Sequence, residues 1–530
     1  MIPHRDYRDG GRSPALAASG MVATSHPQAT LAALDMLRRG GNAVDAALTA
    51  VALLGVIEPA MTGIGGDCFL MLSPKGAAPV AFNGSGATPG ELDLDGFLGR
   101  GFTEIPARSA HAVTVPGAVD AWCQIHAAHG TRPLDEILAP AIEAAEQGWF
   151  VAPRIAADWL HLKDELTRYP ATAAAFLPGG KPPRAGDRFA CPALGATLRR
   201  IARDGRAGFY EGPVAEELVA LLRGLGGQHR AADFAGQRGR WVEPVTAPYR
   251  QWEIAECPPN GQGGIALLIL RLLEGYDLGK GALSAAARVH LLAEATKLAY
   301  HQRDLLFGDP DHGDVDVAQL LGDAHVGALR RQIRTDRAQI PQANELPSHP
   351  DTTYLTVVDR DLNAVSLINS IYMGFGSAIY AAGSGVMLHN RGAGFQLTAG
   401  HPNALAPGKR PMHTIIPGMA LEQGRPVMPF GVMGGHYQAC GHAQLISHIL
   451  DRGFDVQQAI DAPRSFAFDG VLELEPRHGA AVSEELAALG HKPVWSDTPI
   501  GGGQAIFIDH ARGVLIGGSD SRKDGCALGY

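Results

Sequence analysis

Thr352 and Thr353 stand at an abrupt boundary in the 530-residue sequence. The stretch 334–350 before them is polar, carries Pro341, Pro347 and Pro350, and lacks apolar periodicity, so it reads as an exposed linker. Thr352-Thr-Tyr-Leu-Thr-Val-Val358 then reads as a strand by its β-branched content. Asp359-Arg-Asp-Leu-Asn363 reads as a hairpin turn and 364–369 as the partner strand. An exposed linker that ends at a buried strand is suited to proteolytic processing. A second set of reactive groups, His301, Asp304, Asp309, Asp311, His312 and Asp314, lies around a turn. Oxygen-rich loops bind hard cations, so a metal-dependent hydrolase is the rival reading from another class. The HExxH pattern is missing and the spacing is not that of an EF-hand, so the same residues also read as a solvated loop, and no metal or other cofactor is assigned. A dinucleotide enzyme is disfavoured because no GxGxxG follows a strand.

The elements around these residues follow from periodicity. Segments 29–39 and 43–56 read as helices separated by Gly40-Gly41-Asn42. The glycine turn Gly63-Ile-Gly-Gly-Asp67 opens an apolar strand at 68–72, and another strand follows at 79–82. Segment 134–225 is mostly helical with a break at 177–186, and further helices are expected at 265–273 and 285–307. The glycines fall in short clusters, which suits backbone that turns sharply or approaches a ligand.

Bulk composition narrows the function classes. The chain is 46% hydrophobic and 19% charged, as an ordinary globular protein is. Its net charge of −9, with no basic block, argues against a nucleic-acid partner. The richest apolar run, 46–57, is too short to cross a bilayer, and the N-terminus has no signal-like apolar core, so no membrane partner is expected. Cys68, Cys123, Cys191, Cys257, Cys440 and Cys526 lie far apart without a CxxC pair. A reducing, cytoplasmic setting is the expectation.

Across nearly its whole length the sequence resembles the gamma-glutamyltranspeptidase family. The resemblance is carried by Gly40-Gly-Asn-Ala-Val-Asp-Ala46, Glu58-Pro, Gly63-Ile-Gly-Gly66, Val115-Pro-Gly117, Phe209-Tyr-Glu-Gly212 and Glu274-Gly-Tyr-Asp277. Later blocks are Glu294-Ala-Thr-Lys-Leu-Ala-Tyr300, Gly308-Asp-Pro310, Thr352-Thr353, Asn403-Ala-Leu-Ala-Pro-Gly-Lys-Arg-Pro411, Gly434-Gly435 and Asp461-Ala-Pro-Arg464. The resemblance implies an α+β fold, a four-layer αββα sandwich of the N-terminal nucleophile hydrolase type. It implies one precursor that cuts itself between Asp351 and Thr352 into a large chain 1–351 and a small chain 352–530, interwoven in one unit. A dimer of such heterodimers is compatible with it.

By the same resemblance, Thr352 is the nucleophile. Inside a chain its nitrogen is an amide and accepts no proton; freed by the cut, it is an α-amine with a reference pKa of about 7.7–8.0. It then takes the hydroxyl proton directly or through one water. Ser370 matches the second hydroxyl that orients the nucleophile, and Gly434-Gly435 match the oxyanion-hole pair, through their N–H groups. Thr353 and Asn390 are further supports. Read without the family, the glycines are a tight turn and the threonines good strand formers.

The family's grip on a substrate amino acid is largely replaced. Its arginine is Asn83 here, its asparagine Tyr372, its glutamine and aspartate Arg391 and Gly394, and its serine pair His413-Thr414. The connection from Gly400 to Pro411 is too short for the lid loop of the bacterial transpeptidases. An acidic amino-group binder lost and an arginine gained turns a zwitterion site into an anion site; Arg391 as a structural ion-pair partner is the competing reading. The expected substrate is a small anionic amide. Among family branches the sequence looks most like oxamate amidohydrolase, which splits oxamate to oxalate and ammonia in purine-ring catabolism. Gamma-glutamyl hydrolases or transferases, glutaryl-type acylases and a non-catalytic binding protein are the alternatives.

Overall fold

The computed structural model of the chain describes residues 11–339 and 352–530. Two seven-stranded sheets carry the fold. One runs Cys526–Gly529, Met21–Thr24, Thr353–Val358, Ala364–Ser370, Asp67–Ser73, Val80–Gly84, Arg240–Val242 from edge to edge. The other runs Ala15–Ala17, Val514–Ser519, Gly502–Asp509, Arg425–Met433, Gly418–Glu422, Trp252–Glu256, Val245–Tyr249. Every pairing in both is antiparallel.

The period-2 alternation of the strands builds the layers. Phe69, Met71, Tyr354, Val358 and Ile368 of the first sheet meet Met419, Met433, Ile506 and Leu515 of the second in one buried cluster between the sheets. The intervening residues Leu70, Leu72, Leu355, Val357 and Leu367 face outward into a core with the helices Pro27–Arg38, Ala43–Ile57, Ala118–His129 and Leu134–Gln147. On the far side Ile254, Met428, Phe430 and Val432 pack with the helices Gly263–Leu273, Ala285–Leu306 and Tyr437–Leu450. The order is helix, sheet, sheet, helix, as expected. Burying each large apolar side chain in these layers contributes about 1.5–3 kcal/mol.

The expected helices and hairpin are present with small changes at their ends. The hairpin pairs Thr353 with Asn369 and Val358 with Ala364, so the strand starts one residue after Thr352 and its partner runs on to Ser370. Both chains of the expected cut would contribute to both sheets. Asp67–Ser73 pairs with Ala364–Ser370, and Trp252–Glu256 with Gly418–Glu422.

Residue Asp351 and most of the expected linker lie outside the described residues. At its start, 334–337 are exposed, but the next two residues are tied down. Ala338 N donates to Leu489 O, Gln339 N to Glu294 Oε2 at 3.0 Å, and Lys297 Nζ to Gln339 O at 2.9 Å. Among the described residues no helix is long and apolar enough to cross a membrane.

Candidate active site

Strand register sets the centre. Ser370 ends its strand opposite Asp67, and Thr352 immediately precedes the neighbouring strand. Thr352 Oγ1 and Ser370 Oγ lie 3.2 Å apart, and both residues are buried. The close approach depends on glycine: a Cβ on Gly66 would sit 2.2 Å from Ser370 O.

The turn after Ser370 folds back over it. Tyr372 N donates to Ser370 Oγ at 2.9 Å, and Tyr372 has φ +75, a left-handed conformation unusual for an aromatic residue. Such a residue costs on the order of 1–3 kcal/mol and persists where its surroundings fix it. Here Asn390 Oδ1 accepts from Met373 N and Ala60 O accepts from Phe375 N. Asn390 thus supports the turn, while Thr353 Oγ1 has no hydrogen-bond partner among the described residues.

Arg391 is buried beside this turn. Its Nη1 donates to Thr414 Oγ1 at 2.8 Å, its Nη2 lies 3.4 Å from Ser370 Oγ, and its guanidinium sits 4.1 Å above the Tyr372 ring. Burial pulls its pKa down to about 10, so it stays charged at neutral pH. Among the described residues no carboxylate lies within ion-pair distance of it, and its Nε has no hydrogen-bond partner. The competing reading of Arg391 as an ion-pair partner finds no direct support here.

A neighbouring carboxylate missed in the sequence explains how the charge is tolerated. Asp67 is fully buried; its Oδ1 accepts from Gly86 N and Gly117 N, both at 3.1 Å. Its Oδ2 lies 3.0 Å from His413 Nε2 and 3.6 Å from His389 Nδ1. Burial pushes the Asp67 pKa up, but His389, His413 and Arg391 outweigh it and hold it below the usual carboxylate range. The result is a buried Asp67 anion whose oxygens are committed to other donors while its field offsets Arg391.

His413, expected to touch substrate, hydrogen-bonds to this anion. Burial and the Arg391 charge lower its pKa to about 3, so it is neutral, and Ile415 N approaches its Nδ1 at 3.3 Å. That arrangement puts the ring proton on Nε2, toward Asp67. Asn83, the other expected substrate residue, donates from Nδ2 to Asn260 Oδ1 at 2.8 Å and accepts from Ser85 N at 3.0 Å. Neither residue hydrogen-bonds to Thr352, Ser370 or Arg391; Tyr372 and Thr414 do join that group.

Gly434 and Gly435 form the turn between Arg425–Met433 and Tyr437–Leu450 with φ +115 and +56. Their carbonyls accept from Tyr437 N and Gln438 N, and Gln262 Nε2 also donates to Gly435 O. Their own N–H groups donate to nothing among the described residues, as an unspent donor pair must. A Cβ on Gly434 would lie 2.8 Å from Gly501 Cα. Gly434→Ala should therefore misaim the pair and lower kcat about 10- to 100-fold with little change in KM, measured by steady-state kinetics.

Of the acid and histidine residues at 301–314, His312 and Asp309 meet at 3.3 Å, but among the described residues no third acid or histidine side chain joins them. Asp311 pairs with Arg240 and Arg410, Asp304 with Arg303, and Asp309 accepts from Arg410 N and Asp311 N. Among the described residues the convergent group is His290, Glu294 and His491, in which Lys297 ion-pairs with Glu294.

Buried histidines set an acid limit. His413 and His448 have pKa values lowered to about 3, and His26 and His229 to about 4, in each case first by burial. An unfolded histidine titrates at about 6.5, so between these values the unfolded chain binds more protons and stability rises with pH. Asp67 acts in the same direction, since its depressed pKa stabilises the fold above the unfolded value and that contribution is lost as pH falls through the folded one. Thermal melting should come several degrees lower at about pH 5 than at about pH 7.5.

Comparison with known proteins places the chain among relatives of the same length. The profile of the family described as Gamma-glutamyltranspeptidase matches residues 29–530. A glutathione hydrolase-like YwrD proenzyme of Bacillus subtilis is 36% identical over 96% of this chain and 98% of its own. An oxamate amidohydrolase proenzyme of Klebsiella pneumoniae is also 36% identical, over 96% and 98%. The crystal structure of cephalosporin acylase from Bacillus halodurans superposes with a TM-score of 0.92 at 37% identity, covering 100% of this chain and 99% of that one.

Proposed function

Because the chain belongs to the gamma-glutamyltranspeptidase family of amide-bond hydrolases, made as self-processing proenzymes, we propose that it cuts itself between Asp351 and Thr352 and then hydrolyses a small anionic amide, oxamate first among them. The large chain 1–351 and the small chain 352–530 stay together because each contributes strands to both sheets.

The first step is attack of the Thr352 hydroxyl on the Asp351 carbonyl, an N-to-O acyl shift, followed by hydrolysis of the ester. The freed amine then accepts the Thr352 hydroxyl proton as the oxygen attacks the amide carbon. Negative charge builds on the substrate oxygen, where the Gly434 and Gly435 N–H groups receive it. Collapse expels ammonia, which takes the proton held by the amine, and leaves an acyl ester on Thr352. Water, deprotonated by the same amine, resolves that ester to the free acid. Ser370, 3.2 Å from Thr352 Oγ1, orients the hydroxyl.

One observation carries the substrate class: a fully buried arginine, with hydroxyl and aromatic neighbours and no carboxylate within ion-pair distance among the described residues, adjoins the Thr352–Ser370 pair. A substrate carboxylate complements it. In oxamate the carboxylate and the scissile amide are directly bonded, so a cation this near the nucleophile holds one while the other is attacked. A glutathione hydrolase or acylase reading has relatives of equal similarity in its favour. Ammonia release from oxamate, glutamine and glutaramate, measured side by side, tests the choice. Oxamate is expected to give the highest kcat/KM, and glutamine or glutaramate in first place would overturn the anion-site reading.

A further inference from the structure

The helix that starts beside Gly434-Gly435 ends, in the helical layer behind the second sheet, at a cavity of about 780 Å³. Its walls are of two kinds. Leu273, Leu278, Val289, Leu292 and Phe454 contribute apolar surface, and Arg288, Arg452 and His448 basic groups. Arg477 and Arg12 stand at the same cavity.

Two of its cations, Arg288 and Arg452, have no ion-pair partner among the described residues. Arg288 Nη1 donates to the Leu283 carbonyl at 2.6 Å, and the Arg452 guanidinium lies 4.2 Å over the Phe454 ring. Asp461, the acidic residue of the wall, is engaged by Gln457 Nε2 at 2.9 Å and Ser521 Oγ at 3.0 Å. The two guanidiniums are near enough for Arg288 to depress the pKa of Arg452, after burial has done so. His448 is held neutral by burial and by the same arginines, and its Nε2 has no hydrogen-bond partner.

Two like charges held together in a partly desolvated pocket repel, and a bound anion relieves that repulsion while forming charge-assisted hydrogen bonds. The apolar residues of the same lining select what the anion is attached to. We infer that this cavity is a second binding site, separate from the Thr352 centre, for a small organic carboxylate with an apolar body, its carboxylate between Arg288 and Arg452 and its body against Leu273, Leu292 and Phe454.

Isothermal titration of the purified self-cleaved protein with octanoate, acetate, inorganic phosphate and octylamine tests this. Octanoate is expected to bind saturably at one site, more tightly than acetate or phosphate, with octylamine not binding. The double variant R288Q/R452Q should weaken octanoate about 100-fold or more, at about tenfold or more per guanidinium removed. R288K/R452K keeps both charges and should retain part of the affinity, which separates loss of charge from a disturbed fold. The inference is overturned by no saturable octanoate binding, by equal affinity in R288Q/R452Q, or by phosphate binding as tightly as octanoate.

Discussion

Thr352→Ala should leave the protein as one uncut polypeptide on a denaturing gel and lower amidase turnover by about 10⁴-fold or more, since removing a catalytic nucleophile has effects of that order. The two losses share one cause. Without the hydroxyl, nothing attacks the Asp351 carbonyl, and without the cut the residue 352 nitrogen stays an amide that cannot accept a proton. The fold itself should be unaffected, because residue 352 precedes its strand and the Thr353–Asn369 pairing begins after it. Thermal melting close to that of the native protein separates this outcome from misfolding. Thr352→Ser keeps the hydroxyl and should still cut, more slowly.

Arg391→Gln should cut normally yet lose about 10²- to 10³-fold in kcat/KM toward oxamate, because truncating one partner of a buried charge pair strands the other. Most of the loss should appear in the response to anionic amides rather than neutral ones, since the variant removes the cation and leaves the Thr352–Ser370 pair in place. Arg391→Lys should rescue only partly. A planar guanidinium stacks on Tyr372 while donating to Thr414 Oγ1, and an ammonium cannot hold both contacts in that geometry. Equal losses for charged and neutral substrates would instead assign Arg391 a purely structural role.

Much of this arrangement was legible from local chemistry. The β-branched run after a proline-containing polar stretch marks the strand that follows Thr352, and Asp359 to Asn363 marks its hairpin, where Asp359 Oδ1 accepts from Asn363 N at 2.9 Å. The glycines of Gly63-Ile-Gly-Gly66 read as a turn that opens a strand, and Gly65 and Gly66 also let the backbone pack closely on Met387 and Ser370. One hairpin of the second sheet, Gly418–Glu422 with Arg425–Met433, is absent from the sequence reading, although its turn has Gln423 and Gly424 at φ +52 and +75, as a two-residue type I′ loop requires. A glycine there between two apolar runs was the available signal.

The site was legible only where the residue's own type decided its role. Arg391 reads from sequence as the cation of an anion site; that it adjoins the Thr352–Ser370 pair and lacks a carboxylate depends on every neighbour and cannot be read from spacing. Asp67 was passed over because its partners His389 and His413 lie hundreds of residues away in sequence and meet it only through packing of the first sheet against the loop after it. The same partnership consumed His413, and Asn260 consumed Asn83. A buried polar side chain satisfies the nearest donor or acceptor first, whatever the homologous position does elsewhere.

The measurement that bears most directly on this account is the N-terminal sequence and intact mass of the smaller fragment in freshly purified protein. The fragment should begin at Thr352 with an unblocked amine. A fragment beginning at any other residue, or full turnover by a chain that has never been cut, would contradict it.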